Sequence, residues 1–285
     1  MKFRTKLAAA ATSLLATVGF QSATAASPSV IVAHRGFAGP AQVKYNVPEN
    51  SIAAWDKAID LAERQIVADI DVQWTSDNVM VAMHDRNLTR TTNGGGYIDE
   101  KTWSYVRGLW LELPVDRNKN GDDDNTTQHP PSLEAALRSL KGRTINGVPV
   151  KITIEMKGSK WTPSRVAALK TKLQAHGLFT SRVNVHSFSK TVVDYARNAG
   201  FPNVGYAVPT AGPAPSGTAA KSLAPNLFIK DTLLTKAKLQ EYESAGVRVW
   251  IFTVNTATAL DRIKSFNEPY YALITDDVTW LQDRL

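Results

Sequence analysis

Nine apolar runs of strand length punctuate the chain, at 29–34, 66–74, 79–84, 150–157, 182–188, 203–208, 226–230, 247–255 and 271–275, with helical patterns between most of them. Strands alternating with helices specify parallel βαβ units, and a long series of such units specifies a barrel or an open α/β sheet. The helical stretches carry start and stop signals. Ser51 precedes a run with apolar residues at Ile52, Trp55, Ile59 and Leu61, which is near helical spacing behind a capping residue. The segment from Pro163 to Gly177 opens on proline and closes on glycine, and the segments 189–200 and 235–246 also close on glycine, as helix ends do. No linker composition or internal repeat divides the chain, so a single domain is expected.

Nine strands are one too many for an eight-stranded barrel, and the second and third runs resolve the count. Parallel neighbours need a crossover of about a dozen residues, whereas residues 75–78 supply only four. Runs 66–74 and 79–84 are therefore expected to form an antiparallel hairpin. With Asp77 and Asn78 as its turn, opposed residues have numbers summing to 155, which sets Asp71 across from His84. The return strand becomes an outgrowth, and eight barrel strands remain.

Polar residues stand at the C-terminal ends of these runs: His34 and Arg35 after the first, Asp69 and Asp71 on the second, His84 ending the hairpin, Glu155 and Lys157 on the run at 150–157. Catalytic groups of a (β/α)8 barrel gather at that face. Residues two apart on a strand share a side, so Asp69 with Asp71, and Glu155 with Lys157, point the same way. Three carboxylates meeting in a pocket need a positive partner. An all-oxygen set suits Ca2+ or Mg2+ rather than zinc.

At the level of its words the chain resembles the glycerophosphodiester phosphodiesterases. The matching stretches are AHRG (33–36), PENS (48–51), DID (69–71), HD (84–85), LTRTTNGGG (88–96), IEMK (154–157), SF (187–188), TVN (253–255) and LITD (273–276). The resemblance implies a (β/α)8 TIM barrel of the phospholipase C-like phosphodiesterase type, with a β-hairpin extension after the second strand. It implies one divalent cation, Ca2+ favoured over Mg2+, and cleavage of a glycerophosphodiester such as glycerophosphocholine to sn-glycerol 3-phosphate and an alcohol, by way of a cyclic phosphate. By the same resemblance His34 and His84 are the acid-base pair, Arg35 and Lys157 hold the phosphate, Asp69, Asp71 and Glu155 bind metal, and Glu49 orients a histidine or arginine behind them. The chain departs from the family pattern in carrying Asp69 where Glu is usual, and Phe252 where Trp is usual before TVN.

The first 25 residues read differently from the rest. Lys2, Arg4 and Lys6 precede a 14-residue apolar stretch, and Ala23-Thr24-Ala25 follows. That is the pattern of a secretory signal peptide, so a secreted or periplasmic enzyme is expected with 26–285 as its barrel domain. A transmembrane anchor needs about 20 apolar residues and is not expected. Removing that segment lowers the formal charge from +7 to +4, which suits a small anionic substrate and is too diffuse for nucleic acid. The chain has no cysteine, which excludes disulfide staples and thiolate sites. The oligomeric state is not legible.

One inserted stretch, 109–131, is expected beside the active site. Within it Asp116, Asn118, Asn120, Gly121 and Asp124 match the offsets of a calcium loop, but Thr127 stands where a bidentate Glu is needed. A solvated acidic loop is the stronger reading and a second Ca2+ site the weaker. Two other functions stay open: the same plan acting on lysophospholipid, sphingomyelin-type or glycerol-phosphate polymer diesters, and a binding protein without turnover. Two readings are open for His186, which ends a strand: lining the pocket or, the stronger, packing in the core.

Overall fold

The computed structural model describes residues 30–114 and 127–285. The signal-like segment, and Asp116, Asn118, Asn120 and Asp124 of the acidic loop, lie outside the described residues. Eight parallel strands close into a barrel: β1 Val30–Ala33, β2 Ile66–Trp74, β6 Lys151–Met156, β7 Val183–Ser187, β8 Val204–Ala207, β9 Asn226–Lys230, β10 Arg248–Phe252 and β11 Ala272–Thr275. Neighbours run in the order β1-β11-β10-β9-β8-β7-β6-β2, and β1 pairs with β2 to seal the ring. The strand β3 Met80–Ala82 hangs antiparallel on the far end of β2. A two-residue pair, β4 Thr144–Ile145 with β5 Val148–Pro149, forms a separate small hairpin.

Alternation along each strand sorts the core into two layers. Val30, Val32, Val67, Ala207, Phe228, Trp250, Ala272 and Ile274 pack together as one cluster. Ile31, Ile66, Ile70, Ile152, Ile154, Val183 and Val185 join Trp55, Leu137, Leu169, Leu239 and Leu260 from the helices in another. The first cluster fills the barrel and the second lies between barrel and helices, which is why the strands read as continuous apolar runs. Asp69 and Asp71 share the parity of Val67, so they point inside.

The four helix starts expected from the sequence are capped by side chains. Ser51, Thr162, Ser189 and Thr235 each accept a backbone N–H three residues on, and Gly177, Gly200 and Gly246 take positive φ beyond the last turn. The hairpin differs from expectation by one residue. Val72 pairs with Ala82, and Met83 N donates to Asp71 O at 2.9 Å, so Asp71 opposes Met83 and not His84. A two-residue primed turn needs positive φ at both central positions, and in the Asp77-Asn78 pair only Asn78 has it (φ 63°). Thr75 N therefore bonds Val79 O at 3.0 Å around a three-residue loop.

Beyond β3 the chain makes an excursion before the helix Leu133–Leu140. Val81, Met83, Leu88, Ile98, Val106, Leu109 and Leu111 form its own small core. Leu111 N donates to Gln128 O at 2.8 Å, so the described ends of the stretch at 109–131 are tied together on that core.

Candidate active site

The C-terminal ends of the barrel strands surround a cavity of about 220 Å3 whose walls include His34, Arg35, Asp69, His84, Glu155 and Lys157. Register explains the gathering. Asp71 on β2 lies beside Glu155 on β6, and Glu155 lies beside His186 on β7, so one row of side chains crosses three strands. His34 and Arg35 follow directly on β1, where Arg35 takes a left-handed turn (φ 55°). That turn lets Arg35 N donate to Asp69 Oδ2 at 3.1 Å.

Arg35 and Lys157 are both held by carboxylates. Arg35 Nη1 donates to Glu49 Oε1 at 3.1 Å, and its Nε lies 3.2 Å from Asp71 Oδ2. Lys157 Nζ donates to Glu155 Oε1 at 2.8 Å and lies 3.6 Å from Asp71 Oδ1. Asp71 does not line the cavity. It is 1% exposed, and Asn50 clamps it, Nδ2 donating to Asp71 Oδ2 at 2.9 Å while Oδ1 accepts from Asp71 N at 3.1 Å. Burial alone would raise its pKa, but Lys157 and Arg35 overcome that and hold it well below the carboxylate range. Glu49 also stands back from the cavity. Arg90 grips it through two bonds, at 3.1 and 2.7 Å, and Gln42 Nε2 donates to it at 3.3 Å. Glu49 therefore positions Arg35, not a histidine.

Each histidine leans on an acid through Nδ1. His34 Nδ1 bonds Asp276 Oδ1 at 2.5 Å, and Asn255 Nδ2 donates to the other oxygen of Asp276 at 2.6 Å. His84 Nδ1 bonds Asp85 Oδ1 at 2.6 Å, and Arg90 Nε donates to Asp85 in turn. A carboxylate at Nδ1 fixes the ring and leaves Nε2 for the cavity. The two rings differ in charge preference. Burial opposes charge on both and is the largest single influence on each; at His34 the bond to Asp276 and the charges of Asp276 and Asp69 together outweigh it and the pKa is raised, whereas at His84 burial prevails and the pKa is lowered.

The donor set fits a hard divalent cation in its chemistry. Asp69 and Glu155 both face the cavity, and burial, reinforced by Asp71, pushes Asp69 up to about 6; burial does most to push Glu155 up to about 7, with Asp71 adding. The pocket thus holds more carboxylate than Arg35 and Lys157 neutralise. Among the described residues no three His, Asp or Glu side chains are drawn together around a single point, and Lys157 stands between Asp71 and Glu155.

Several members of the site have no role assigned from the sequence. Asn50 and Asp276 lie inside the words PENS and LITD, and Asn255 closes TVN, yet a short word does not reveal which oxygen each side chain meets. Arg90, from the excursion, binds Glu49 across 41 residues of chain and Asp85 as well. His186 is 5% exposed as expected of a core residue, and it also lines the cavity.

A family model described as the glycerophosphoryl diester phosphodiesterase family matches residues 34–280. The Bacillus subtilis protein YhdW is 29% identical over 242 residues, covering 82% of this chain and 90% of that one. A glycerophosphodiester phosphodiesterase of Caldanaerobacter subterraneus is 38% identical over 81 residues, 28% of this chain and 30% of that protein. Among solved structures, an Oleispira antarctica phosphodiesterase in complex with the product sn-glycerol-3-phosphate superposes with a TM-score of 0.69 at 23% identity, over 90% of this chain and 96% of that one. A glycerophosphodiester phosphodiesterase from Parabacteroides distasonis does so with a TM-score of 0.69 at 20% identity, over 90% and 97%. The two structural likenesses show the shared barrel.

Proposed function

The chain belongs to the glycerophosphoryl diester phosphodiesterase family, and on that premise we propose that it is an exported, divalent-metal-dependent enzyme that cleaves glycerophosphodiesters by acid-base catalysis between His34 and His84. The observation that carries this reading is the pair of imidazoles, each braced by a carboxylate, lining the cavity that Arg35 and Lys157 also line. Arg35 and Lys157 are the charges that receive the phosphoryl oxygens. Asp69, Asp71 and Glu155 are the residues that would hold one cation, Ca2+ or Mg2+. When bound, that cation supplies Lewis-acid charge neutralisation at the phosphate.

The opposite pKa tendencies of the two rings divide the labour. His84, whose pKa is lowered, takes the proton of the glycerol hydroxyl next to the ester as that oxygen bonds to phosphorus. His34, whose pKa is raised, gives its Nε2 proton to the departing alcohol oxygen as the phosphorus–oxygen bond breaks. The cyclic phosphate then opens to water, with His34 taking the water's proton and His84 returning one to the ring oxygen that leaves. Phe188 and Phe252 meet edge-on with ring centroids 6.0 Å apart and would face the alcohol moiety at the cavity mouth.

The test is hydrolysis of glycerophosphocholine, followed as sn-glycerol 3-phosphate released. EDTA-treated protein should be inactive and recover with Ca2+, Mg2+ or Mn2+ supplied in turn. His34→Ala and His84→Ala should each lose about 10^2- to 10^4-fold in rate. Full activity in EDTA, or in both variants, would overturn the proposal. Lysophospholipid, sphingomyelin and a glycerol-phosphate polymer assayed alongside identify a different diester if one is preferred.

A further inference from the structure

A file of polar side chains descends from the cavity into the apolar interior of the barrel. Trp250 Nε1 donates to Asn226 Oδ1 at 3.2 Å, Asn226 Nδ2 donates to Asn184 Oδ1 at 3.2 Å, and Asn184 Nδ2 donates to Thr153 Oγ1 at 3.1 Å. Thr153 Oγ1 in turn lies 3.1 Å from His186 Nδ1. All five residues are buried, Thr153 completely.

The foot of the file sets its direction. An indole N–H only donates, so Asn226 receives with its carbonyl oxygen and offers its amide N–H to the next residue. Asn184 repeats the arrangement, and Thr153 receives at its oxygen. A hydroxyl that accepts from Asn184 still has its own proton to give, and His186 Nδ1 is an acceptor within reach of it. A neutral imidazole that accepts at Nδ1 carries its own proton on Nε2. The ring cannot swing away from this geometry. It stacks on Phe228 with centroids 3.8 Å apart and planes 4° from parallel, and Phe228 stacks on Trp250 at 4.7 Å. Gly205 on the neighbouring strand leaves the room, since a Cβ there would meet the Phe228 ring at 2.5 Å and His186 Cβ at 3.1 Å.

His186 Nε2 faces the cavity 4.0 Å from Glu155 Oε2, too far for a direct hydrogen bond. An oxygen about 2.8 Å from each would bridge them, accepting from His186 and donating to Glu155. A hydroxyl does both, and an ether, ester or carbonyl oxygen does not. Resting on the phosphodiesterase reading above, we propose that His186 is a specificity-determining residue: a donor of fixed direction that, with Glu155, reads a free hydroxyl on the glycerol moiety. A substrate in which that hydroxyl is acylated or missing leaves Glu155 Oε2 without that donor and His186 Nε2 without an acceptor, and is rejected.

The test compares binding of sn-glycerol 3-phosphate and of ethyl phosphate, a monoester without hydroxyls, by calorimetry on the full chain. His186→Phe keeps a ring in the stack and removes both nitrogens. It should weaken sn-glycerol 3-phosphate by about 10- to 100-fold and leave ethyl phosphate within about twofold. Equal losses on both ligands, or no loss on either, overturn the proposal. Two-bond 1H–15N spectra of the unmodified protein should show His186 bare at Nδ1 and protonated at Nε2, and Thr153→Val should blur that preference; the opposite tautomer in the unmodified protein overturns it. Turnover of glycerophosphocholine is scored on the same preparation. An inactive parent sinks the phosphodiesterase reading, whereas an active parent whose His186→Phe variant binds both ligands unchanged sinks only this inference.

Discussion

At the scale of single residues, several of the site's acids are each paired with a fixed base. Asp276 holds His34, Asp85 holds His84, and Asp71 stands between Arg35 and Lys157. The His34–Asp276 pair carries a pH signature. His34 has its pKa raised, so its contribution to stability is complete below the ordinary histidine value and is lost as pH rises through the folded value. Asp276 has its pKa lowered despite burial, because His34 bonds it, so its contribution is present above the ordinary carboxylate value and is lost as pH falls through the folded one. Asp276→Asn should therefore cost about 1–3 kcal/mol in the mildly acidic window between those limits, and less on the alkaline side. It should also lower the His34 pKa and move the alkaline limb of the rate profile to lower pH. Urea melts and rate profiles taken across pH check both; a loss of stability equal at all pH would show the pair to be neutral. His34, Arg35, Glu155 and Lys157 were legible as members of one cavity because each stands at the C-terminal end of a strand. Asp276 was not, since it is 242 residues from the ring it braces.

At the scale of elements, every barrel strand was legible as an apolar run, because both faces of a parallel strand are buried. The one error, the hairpin register, arose where turn chemistry rather than apolar patterning decides. Asn78 occupies the left-handed region (φ 63°) and its side chain accepts from Arg165. A β-branched residue is strained there, so Asn78→Val should destabilise by about 1–2 kcal/mol. Asn78→Gly keeps the backbone conformation and should cost less than half as much. Equal losses in urea unfolding would put the weight on the Arg165 contact instead. The same one-residue shift sends Asp71 opposite Met83 and leaves His84 beyond the ladder, in the loop that Asp85 and Arg90 stabilise.

At the scale of the whole molecule, closure of the ring brings chain segments from 34 to 276 to one opening, and a cation held there would tie β2 to β6. A ligand present at about 100 times its Kd adds about 2.7 kcal/mol, and in a chain of this size that raises Tm by about 5–10 °C. Saturating Ca2+ or Mg2+ should produce such a shift in thermal melts, and Asp69→Ala should remove it; no shift with any divalent cation, or the same shift in the variant, would refute metal binding by these carboxylates. Local properties of the chain settled the kind of architecture: alternation and run length depend on near neighbours, so eight strands, their helices and the residues at the strand ends could be read in order. Which side chain meets which was decided only by tertiary structure. The partners Arg90 and Glu49, Asp276 and His34, and the file from Trp250 to His186 come from separate strands and loops. Their meeting depends on barrel register and on hydrogen-bond direction, and neither leaves a periodic trace in a sequence.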